Sequence, residues 1–179
     1  MQEIAHKTEG GLLVPTSNIL GTGEYHGQII RDGLVIDEWT DKNLVVNEGL
    51  NSMLDVMFHG SAQVTTWYVG LFEGNYTPVA TVTAATIASA ATESTAYTQA
   101  TRPEFVEAAA ASQSITNSAS RATFTFNDTK TIYGAFLVST ATKGGTTGTL
   151  FSAARFASSK AVVSGDELLL TYTFTAASA

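Results

Sequence analysis

Residues 25–40 read YHGQIIRDGLVIDEWT, and the Asp32-Gly33 pair divides this stretch into two runs rich in β-branched and aromatic residues. An Asp-Gly pair readily adopts the two positive φ angles that a type I′ turn requires. Two extended runs joined by such a turn are the pattern of a β-hairpin. The sequence therefore predicts strands over residues 25–31 and 34–40, with β character continuing through residues 44–46.

The β pattern returns in the second half of the chain, from Ile115 onward. Apolar residues alternate there with polar ones, which is typical of strands with one face in a core. The alternating positions are Ala122, Phe124 and Phe126, then Ile132, Gly134, Phe136 and Val138, and finally Leu168, Leu170, Tyr172 and Phe174. Residues 150–156 predict another strand. Residues 66–72 carry bulky side chains on both faces, which predicts a strand buried between layers.

One helix is predicted over residues 48–58. Apolar residues recur there at helical spacing, at Val46, Leu50, Met53, Leu54 and Met57. Asn47 is the predicted N-cap and Gly60 the predicted stop. The Met-rich stripe of this helix is predicted to belong to the core. Residues 79–96, rich in Ala, Thr and Ser, are predicted to form a long, weakly structured loop. The fold class expected from all these segments is mainly β, an antiparallel, jelly-roll-like β-sandwich with one short helix.

The beginning of the chain has a different character. Gly10-Gly11, Pro15 and Gly21-Thr22-Gly23 oppose a regular element, so residues 1–24 are predicted to be an extended arm and residues 25–179 the sandwich domain. The arm contains one apolar patch, and Leu12, Leu13 and Val14 are therefore candidate contacts to a partner. A terminal tail without a partner is the alternative.

Composition and charge exclude several classes of function. The net charge is −7, and residues 1–60 hold nine acids and three bases, so no basic stripe is available to bind a phosphate backbone. The chain has no cysteine, which removes disulfides and thiolate chemistry. No stretch approaches the ~20 apolar residues of a membrane span, and the first residues lack the pattern of a secretory signal. We therefore expect neither nucleic acid nor membrane as a partner.

No catalytic or metal-binding motif stands out. His6, His26 and His59 lack metal-ligand spacing, and the Gly21-Thr22-Gly23 and Gly144–Gly148 stretches lack the features of nucleotide-binding loops. Acids cluster at Asp37, Glu38 and Asp41, and again at Glu104 and Glu107. Paired acids can hydrolyse glycosides, but solvated acids are the simpler interpretation. The sequence thus predicts a protein that is not an enzyme and has no cofactor and no metal.

Two further residues are candidates for contact with a partner. Arg102 is an isolated base before Pro103, and we expect it to pair with an acid or to cap carbonyl groups at strand ends, unless it is simply solvated. Trp39 lies at the end of the predicted hairpin and is the aromatic residue most expected to be exposed. A sugar-stacking platform is the alternative for the aromatic set Trp39, Trp67, Tyr68, Tyr76 and Tyr97, with ordinary packing as the simpler interpretation.

From about Asn43 to Ala176 the chain resembles a group of tailed-bacteriophage virion proteins of the capsid cement or head-decoration type. The resemblance is carried, in order, by NLVVNEGLN (43–51), TWYVGL (66–71), AY (96–97), TRP (101–103), TNS (116–118), ATF (122–124), IYGAFL (132–137), TGTLFS (147–152) and SGDEL (164–168). It implies a β-sandwich bound to a capsid shell, with no catalytic residues to transfer. Residues 1–24 lie outside it.

The function expected on this basis is that of a capsid cement subunit. It would be assembled in the host cytoplasm, form a dimer or trimer, and bind the major capsid protein on the outer surface of the virion. A ligand that binds only the assembled shell stabilises it by mass action. An acidic chain suits that outer surface better than a lumen packed with DNA. The alternatives are a tail, neck or fibre component that recognises host-surface glycan and, as a third class, a glycan-active enzyme.

Overall fold

The computed structural model describes residues 5–7, 13–15 and 19–178, with side chains described from residue 19 onward. Its two helices are α1 (Asn47–Phe58) and α2 (Ala84–Ala90). The strands are β1 (Ala5–Lys7), β2 (Leu13–Pro15), β3 (Ile19–Arg31), β4 (Leu34–Lys42), β5 (Leu44–Val45), β6 (Trp67–Phe72), β7 (Glu93–Ser94), β8 (Glu104–Phe105), β9 (Ser114–Thr116), β10 (Ala122–Thr125), β11 (Lys130–Val138), β12 (Leu150–Val162) and β13 (Glu167–Ser178).

The strands from β3 onward form two antiparallel sheets. Sheet 1 has the order β10-β13-β3-β4, with β9 also paired to β13. Sheet 2 has the order β5-β12-β11-β6-β7, with β8 also paired to β6. Among the residues that the structure describes, strands β1 and β2 pair only with each other. The prediction of a mainly β fold built as an antiparallel sandwich is therefore confirmed, although the described residues contain two helices where one was predicted.

The predicted hairpin is formed by β3 and β4. Asp32 and Gly33 have φ values of 51° and 79°, which are the positive angles that the Asp-Gly pair predicts. Strand β3 begins at Ile19, six residues before the predicted start, because residues 19–24 pair with Thr173–Ser178 at the end of β13. The strand therefore runs across the boundary that the sequence placed between arm and domain.

The main core lies between the two sheets. Residues of sheet 1 and sheet 2 meet there with almost no exposed surface, and they include Tyr25, Ile29, Leu71, Phe124, Phe156, Leu170 and Tyr172. The alternation read from the sequence is confirmed for β10 and β13. It is wrong for β11, because an irregularity between Ile132 and Gly134 places Ile132 in the main core but Phe136 and Val138 on the opposite face of sheet 2. Strand β6 is also confirmed as buried, since its last four residues have no appreciable exposure.

A second, smaller core covers the outer face of sheet 2. It is built from Val46, Phe72, Val82, Ala84, Ile87, Ala91, Phe136, Val138, Leu150 and Ala153. The prediction of a weakly structured loop over residues 79–96 is therefore wrong. Ala84, Ile87 and Ala91 recur at helical spacing and pack helix α2 onto the sheet, while Thr83 and Thr86 form a capping box at its start.

Helix α1 has nearly the predicted bounds, but its environment differs from the prediction. Gly49 is its one buried residue, packed against the backbone of Phe151. Of the predicted stripe, Val46 lies in the second core, Met53 is half-buried, and Leu50, Leu54 and Met57 are exposed. The prediction that the stripe belongs to the core is therefore wrong beyond Val46. Asn47 is the first helical residue and not the N-cap, which is Val46 without a side-chain cap. Among the described residues, neither helix is long and apolar enough to cross a membrane.

Candidate functional site

Helix α1 presents an unusual apolar surface to solvent. Leu50, Leu54, Met57 and Phe58 expose 44%, 55%, 70% and 78% of their surface, and their spacing places them on one side of the helix. We call these four residues the helix face. Clusters of large apolar side chains on a protein surface commonly mark contact sites for other proteins.

The start of α1 is held firmly, so the helix face has a fixed position. One carboxylate oxygen of Glu48 accepts hydrogen bonds from the backbone N–H groups of Ala84 and Leu150, each at 2.8 Å. The N–H of Val46 donates to the carbonyl of Phe151 at 3.1 Å, and that of Asn47 donates to the carbonyl of Ala80 at 2.8 Å. These bonds tie the helix to β12 and to the start of α2.

A groove of about 300 Å³ lies between α1 and the end of the sandwich. Its lining is mostly apolar and comes from α1, both sheets and their loops, including Met53, Val56, Met57, Trp67, Phe105, Ile115, Phe151, Tyr172 and Phe174. We call it the helix groove. The Tyr172 hydroxyl accepts a hydrogen bond from the side-chain amide of Asn43 at 3.0 Å, and burial raises the pKa of Tyr172 to about 12. The phenol is therefore neutral at physiological pH.

A polar depression of about 380 Å³ adjoins the helix groove. The two share Ser52, Val56 and Val64. Acids lie along both, with Glu107 on the helix groove and Glu48 and Asp55 on the depression, whereas neither is lined by lysine or arginine. This end of the described chain is therefore apolar at its centre and acidic around it.

A second apolar surface lies where β3 turns into β4. Leu34, Val35 and Ile36 expose 69%, 53% and 47% of their surface, and we call them the hairpin tip. Regular alternation would turn every second side chain inward. A register shift between Ile29 and Ile30 pairs those residues with Asp37 and Val35, so Ile36 is an extra residue in β4 and all three side chains are exposed.

The base of the hairpin tip is fixed by an ion pair. Arg31 donates from Nε and Nη2 to the two carboxylate oxygens of Asp166 at 2.8 and 2.7 Å. Asp166 also accepts from the N–H of Val163 at 2.8 Å. The hydrogen bonds from Arg31 lower the pKa of the Asp166 carboxyl from its ordinary value. The carboxylate is buried, while the Arg31 side chain remains 40% exposed.

Arg102 makes the contacts expected of a structural residue. Its Nε and Nη2 donate to the two carboxylate oxygens of Glu93 at 2.8 and 2.6 Å. Its guanidinium also donates to the carbonyl groups of Thr140 and Gly145. The expectation of an acid partner is confirmed, while the carbonyl groups that accept from Arg102 belong to the loop between β11 and β12 and not to strand ends. Both side chains of the ion pair are buried, so the guanidinium of Arg102 lies inside the subunit and not on a surface open to a partner.

Trp39 is half-buried, contrary to the expectation of an exposed ring. Its ring packs edge-on against that of Phe156, with 5.2 Å between the ring centroids, and Lys160 Nζ lies 4.3 Å from the centroid of the Trp39 ring. The other aromatic residues of the expected set are buried or half-buried and pack separately: Trp67 on Phe151, Tyr76 on Phe72, and Tyr97 on Phe124, with Tyr68 in β6. They do not combine into one exposed platform.

The three clustered acids of β4, Asp37, Glu38 and Asp41, each contact a different partner. Asp37 accepts from Lys160 Nζ at 3.0 Å, and Asp41 accepts from the N–H of Ala157 at 3.1 Å. Glu38 lies on the other face of the strand, 2.8 Å from His26 Nε2. Glu104 and Glu107 are exposed. Within the part of the chain that the structure describes, no group of three or more His, Asp or Glu side chains could hold a metal ion.

The structure says little about the three predicted arm contacts, Leu12, Leu13 and Val14. Leu12 is outside the described residues, while Leu13 and Val14 belong to β2, where only the backbone is described. The helix face and the hairpin tip were missed as sites. The consecutive apolar residues Leu34, Val35 and Ile36 beside a tight turn were a usable signal for the second.

In comparisons with known proteins, no family model matches the chain and no curated protein matches it.

Proposed function

We propose that this chain is a structural subunit of a bacteriophage virion. It binds the outer surface of the major capsid protein shell and cements it. The observation that supports this role best is the helix face, a fixed apolar surface with no partner within the described chain. The choice of a bacteriophage virion as the particle and of the major capsid protein as the partner rests on the resemblance to cement proteins.

The physical basis is burial of the helix face against the shell. Fully burying a Leu, Met or Phe side chain contributes ~1.5–3 kcal/mol, and the four side chains expose about half of their surface or more. A single contact of this size is weak, because association costs ~4–15 kcal/mol of lost freedom. Many copies, and contacts from other surfaces, would provide the remaining affinity. The subunit then stabilises the assembled shell because it does not bind dissociated capsid protein.

The test uses particles that lack the protein. They should assemble but release DNA at lower temperature or osmotic stress, and purified protein should restore resistance and saturate at a copy number commensurate with the capsid lattice. Leu54→Glu and Phe58→Glu should each abolish restoration, because a buried carboxylate disrupts the contact. Val163→Glu is the matched control, since Val163 is also exposed but follows the end of β12 that is remote from α1.

Two results would contradict the proposal. Labelled protein found only at the tail vertex would favour the alternative role as a tail component. Depleted heads as robust as complete ones would remove the cement role altogether.

A further inference from the structure

We propose that helix α1 and the helix groove bind a basic surface of the shell, on which lysine or arginine side chains surround an apolar centre. The helix face and the groove share Met57, so together they form one contact surface for a single partner. The inference rests on the proposed function and deepens it, because it states which chemistry on the major capsid protein this surface recognises.

The exposed end of α1 is electrically negative. Its last turn contains no basic side chain but does contain the exposed carboxylate of Asp55. Among the described residues, no N–H group donates to the carbonyl groups of Val56, Met57 or Phe58. The aligned peptide dipoles place a partial negative charge at these carbonyl groups, and lysine or arginine side chains can bind them. This end of the helix face therefore favours a cation from the partner.

Further acids border the same surface. Glu107 lines the helix groove, and Glu48 and Asp55 line the adjoining depression. The Glu48 carboxylate already accepts two backbone hydrogen bonds within the subunit. Asp55 and Glu107 are exposed, and within the described chain their carboxylates have neither a hydrogen bond nor an ion pair. These two carboxylates can therefore receive bonds from another molecule.

The described bases do not neutralise these acids, because they are held at other places. Lys42 lies opposite Glu24 in the pairing of β3 with β4. The remaining pairs are Arg31 with Asp166, Arg102 with Glu93, Arg121 with Gln28, Lys130 with Glu73 and Asp128, Lys143 with the carbonyl of Tyr97, Arg155 with Asn75, and Lys160 with Asp37. Charge complementarity beside α1 must therefore come from a partner.

The apolar part of the surface lies between the acids. It consists of the helix face and of the groove, whose volume is about 300 Å³. Protein interfaces commonly combine an apolar centre with a polar rim, so the matching segment carries a large apolar side chain flanked by lysine or arginine. Residues 1–18 of this chain contain two acids and one base and therefore do not supply such a segment.

Opposite charges on the two surfaces have a measurable consequence. They attract the partners before contact and speed their encounter. Salt screens exposed charges, so the attraction weakens as the ionic strength rises. Burial of apolar side chains alone would not be weakened by salt in this way, and the two contributions can therefore be separated.

The experiment measures binding of the purified full chain to particles that lack it, by co-sedimentation at salt concentrations from about 0.05 to 0.5 M. The affinity of the wild type should fall at least about tenfold over this range. Asp55→Lys and Glu107→Lys should each lower the affinity about fivefold at the lowest salt concentration, and much less at the highest. Both side chains are exposed, so both variants should keep the melting temperature of the wild type.

Asp128→Lys is the matched control and should bind like the wild type. Asp128 is also an exposed acid. It precedes β11, whose first residue, Lys130, pairs with Val162 at the end of β12 remote from α1.

Three outcomes would overturn the inference. Binding that neither salt nor the two lysine substitutions change would refute it alone, and would leave a purely apolar contact with the shell. Tighter binding by Asp55→Lys and Glu107→Lys would show that the partner surface is acidic. Particles that bind no protein would refute the shell contact itself, and this inference with it.

Discussion

At the scale of single residues, the buried Arg102–Glu93 pair connects three parts of the chain. Glu93 begins β7, Arg102 precedes β8, and Thr140 and Gly145 belong to the loop between β11 and β12. Glu93 also accepts a hydrogen bond from the N–H of Gly144 at 3.0 Å. One ion pair therefore holds that loop against the edge of sheet 2.

Arg102→Met should destabilise the protein by ~3–5 kcal/mol, because it leaves the Glu93 carboxylate buried without its cation. Urea denaturation of purified protein measures this change. The double variant Arg102→Met with Glu93→Leu should regain part of the loss, since no uncompensated charge remains. Arg155→Met is the matched control, as Arg155 is exposed and, among the described residues, its side chain hydrogen-bonds to Asn75 alone. A loss below 1 kcal/mol for Arg102→Met would refute the structural role.

The ion pair of Asp166 predicts how the free energy of unfolding depends on pH. Its folded-state pKa is lowered by Arg31, so the carboxylate contributes stability that is present above the unfolded pKa of ~3.9 and is lost as pH falls through the folded value. Below about pH 4 the wild type should therefore lose free energy of unfolding more steeply than Asp166→Asn does. Denaturation curves from pH 6 downward measure both slopes, with Asp55→Asn on exposed α1 as control. Parallel curves for wild type and Asp166→Asn would contradict the assignment.

At the scale of elements, the sequence predicted those whose signals are local. The Asp-Gly turn specified the β3–β4 hairpin, and alternation specified β10 and β13. The alternation expected for β11 fails because the strand is irregular after Ile132 and is buried on both faces from Gly134 onward. Helix α2 was missed because its seven residues are mostly Ala, Thr and Ser, and the helical spacing of Ala84, Ile87 and Ala91 contains a single large apolar residue. The burial of that element comes from sheet 2 beneath it, which a local pattern cannot reveal. The exposure of α1 was missed for the same reason, since spacing shows that a stripe exists but not what covers it.

The packed state of residues 79–96 can be tested at Ile87. Ile87→Ala should cost ~2–5 kcal/mol, the range for truncating a fully buried aliphatic side chain. A weakly structured loop would instead tolerate the change with almost no cost. Val79→Ala, at a half-exposed position of the same segment, should cost less than ~1 kcal/mol. Equal costs for the two substitutions, measured by urea denaturation, would show that α2 does not contribute to the core.

At the scale of the whole molecule, the sandwich depends on residues that the sequence had placed in the arm. Residues 19–24 pair along Thr173–Ser178, and Gly21 and Gly23 lie beside the rings of Phe174 and Tyr172. The ends of β3 and β13 thus complete sheet 1 beside the helix groove. The candidate contact surfaces are likewise properties of the assembled fold: the groove joins residues of α1, β6, β8, β9 and β13, which no local motif brings together.

Two N-terminal deletions separate arm from sandwich. Removing residues 1–18 should leave the melting temperature nearly unchanged, because within the described part of the chain β1 and β2 pair only with each other and sheet 1 starts at Ile19. Removing residues 1–24 should lower it, since the end of β13 then loses its ladder on β3. Each backbone hydrogen bond contributes ~0.5–1.5 kcal/mol, so several lost bonds should cost at least ~2 kcal/mol, or ~4–8 °C. Calorimetry or thermal circular dichroism measures both. If the two truncated proteins melt together, residues 19–24 belong to the arm after all, and the predicted boundary at residue 24 is correct for stability.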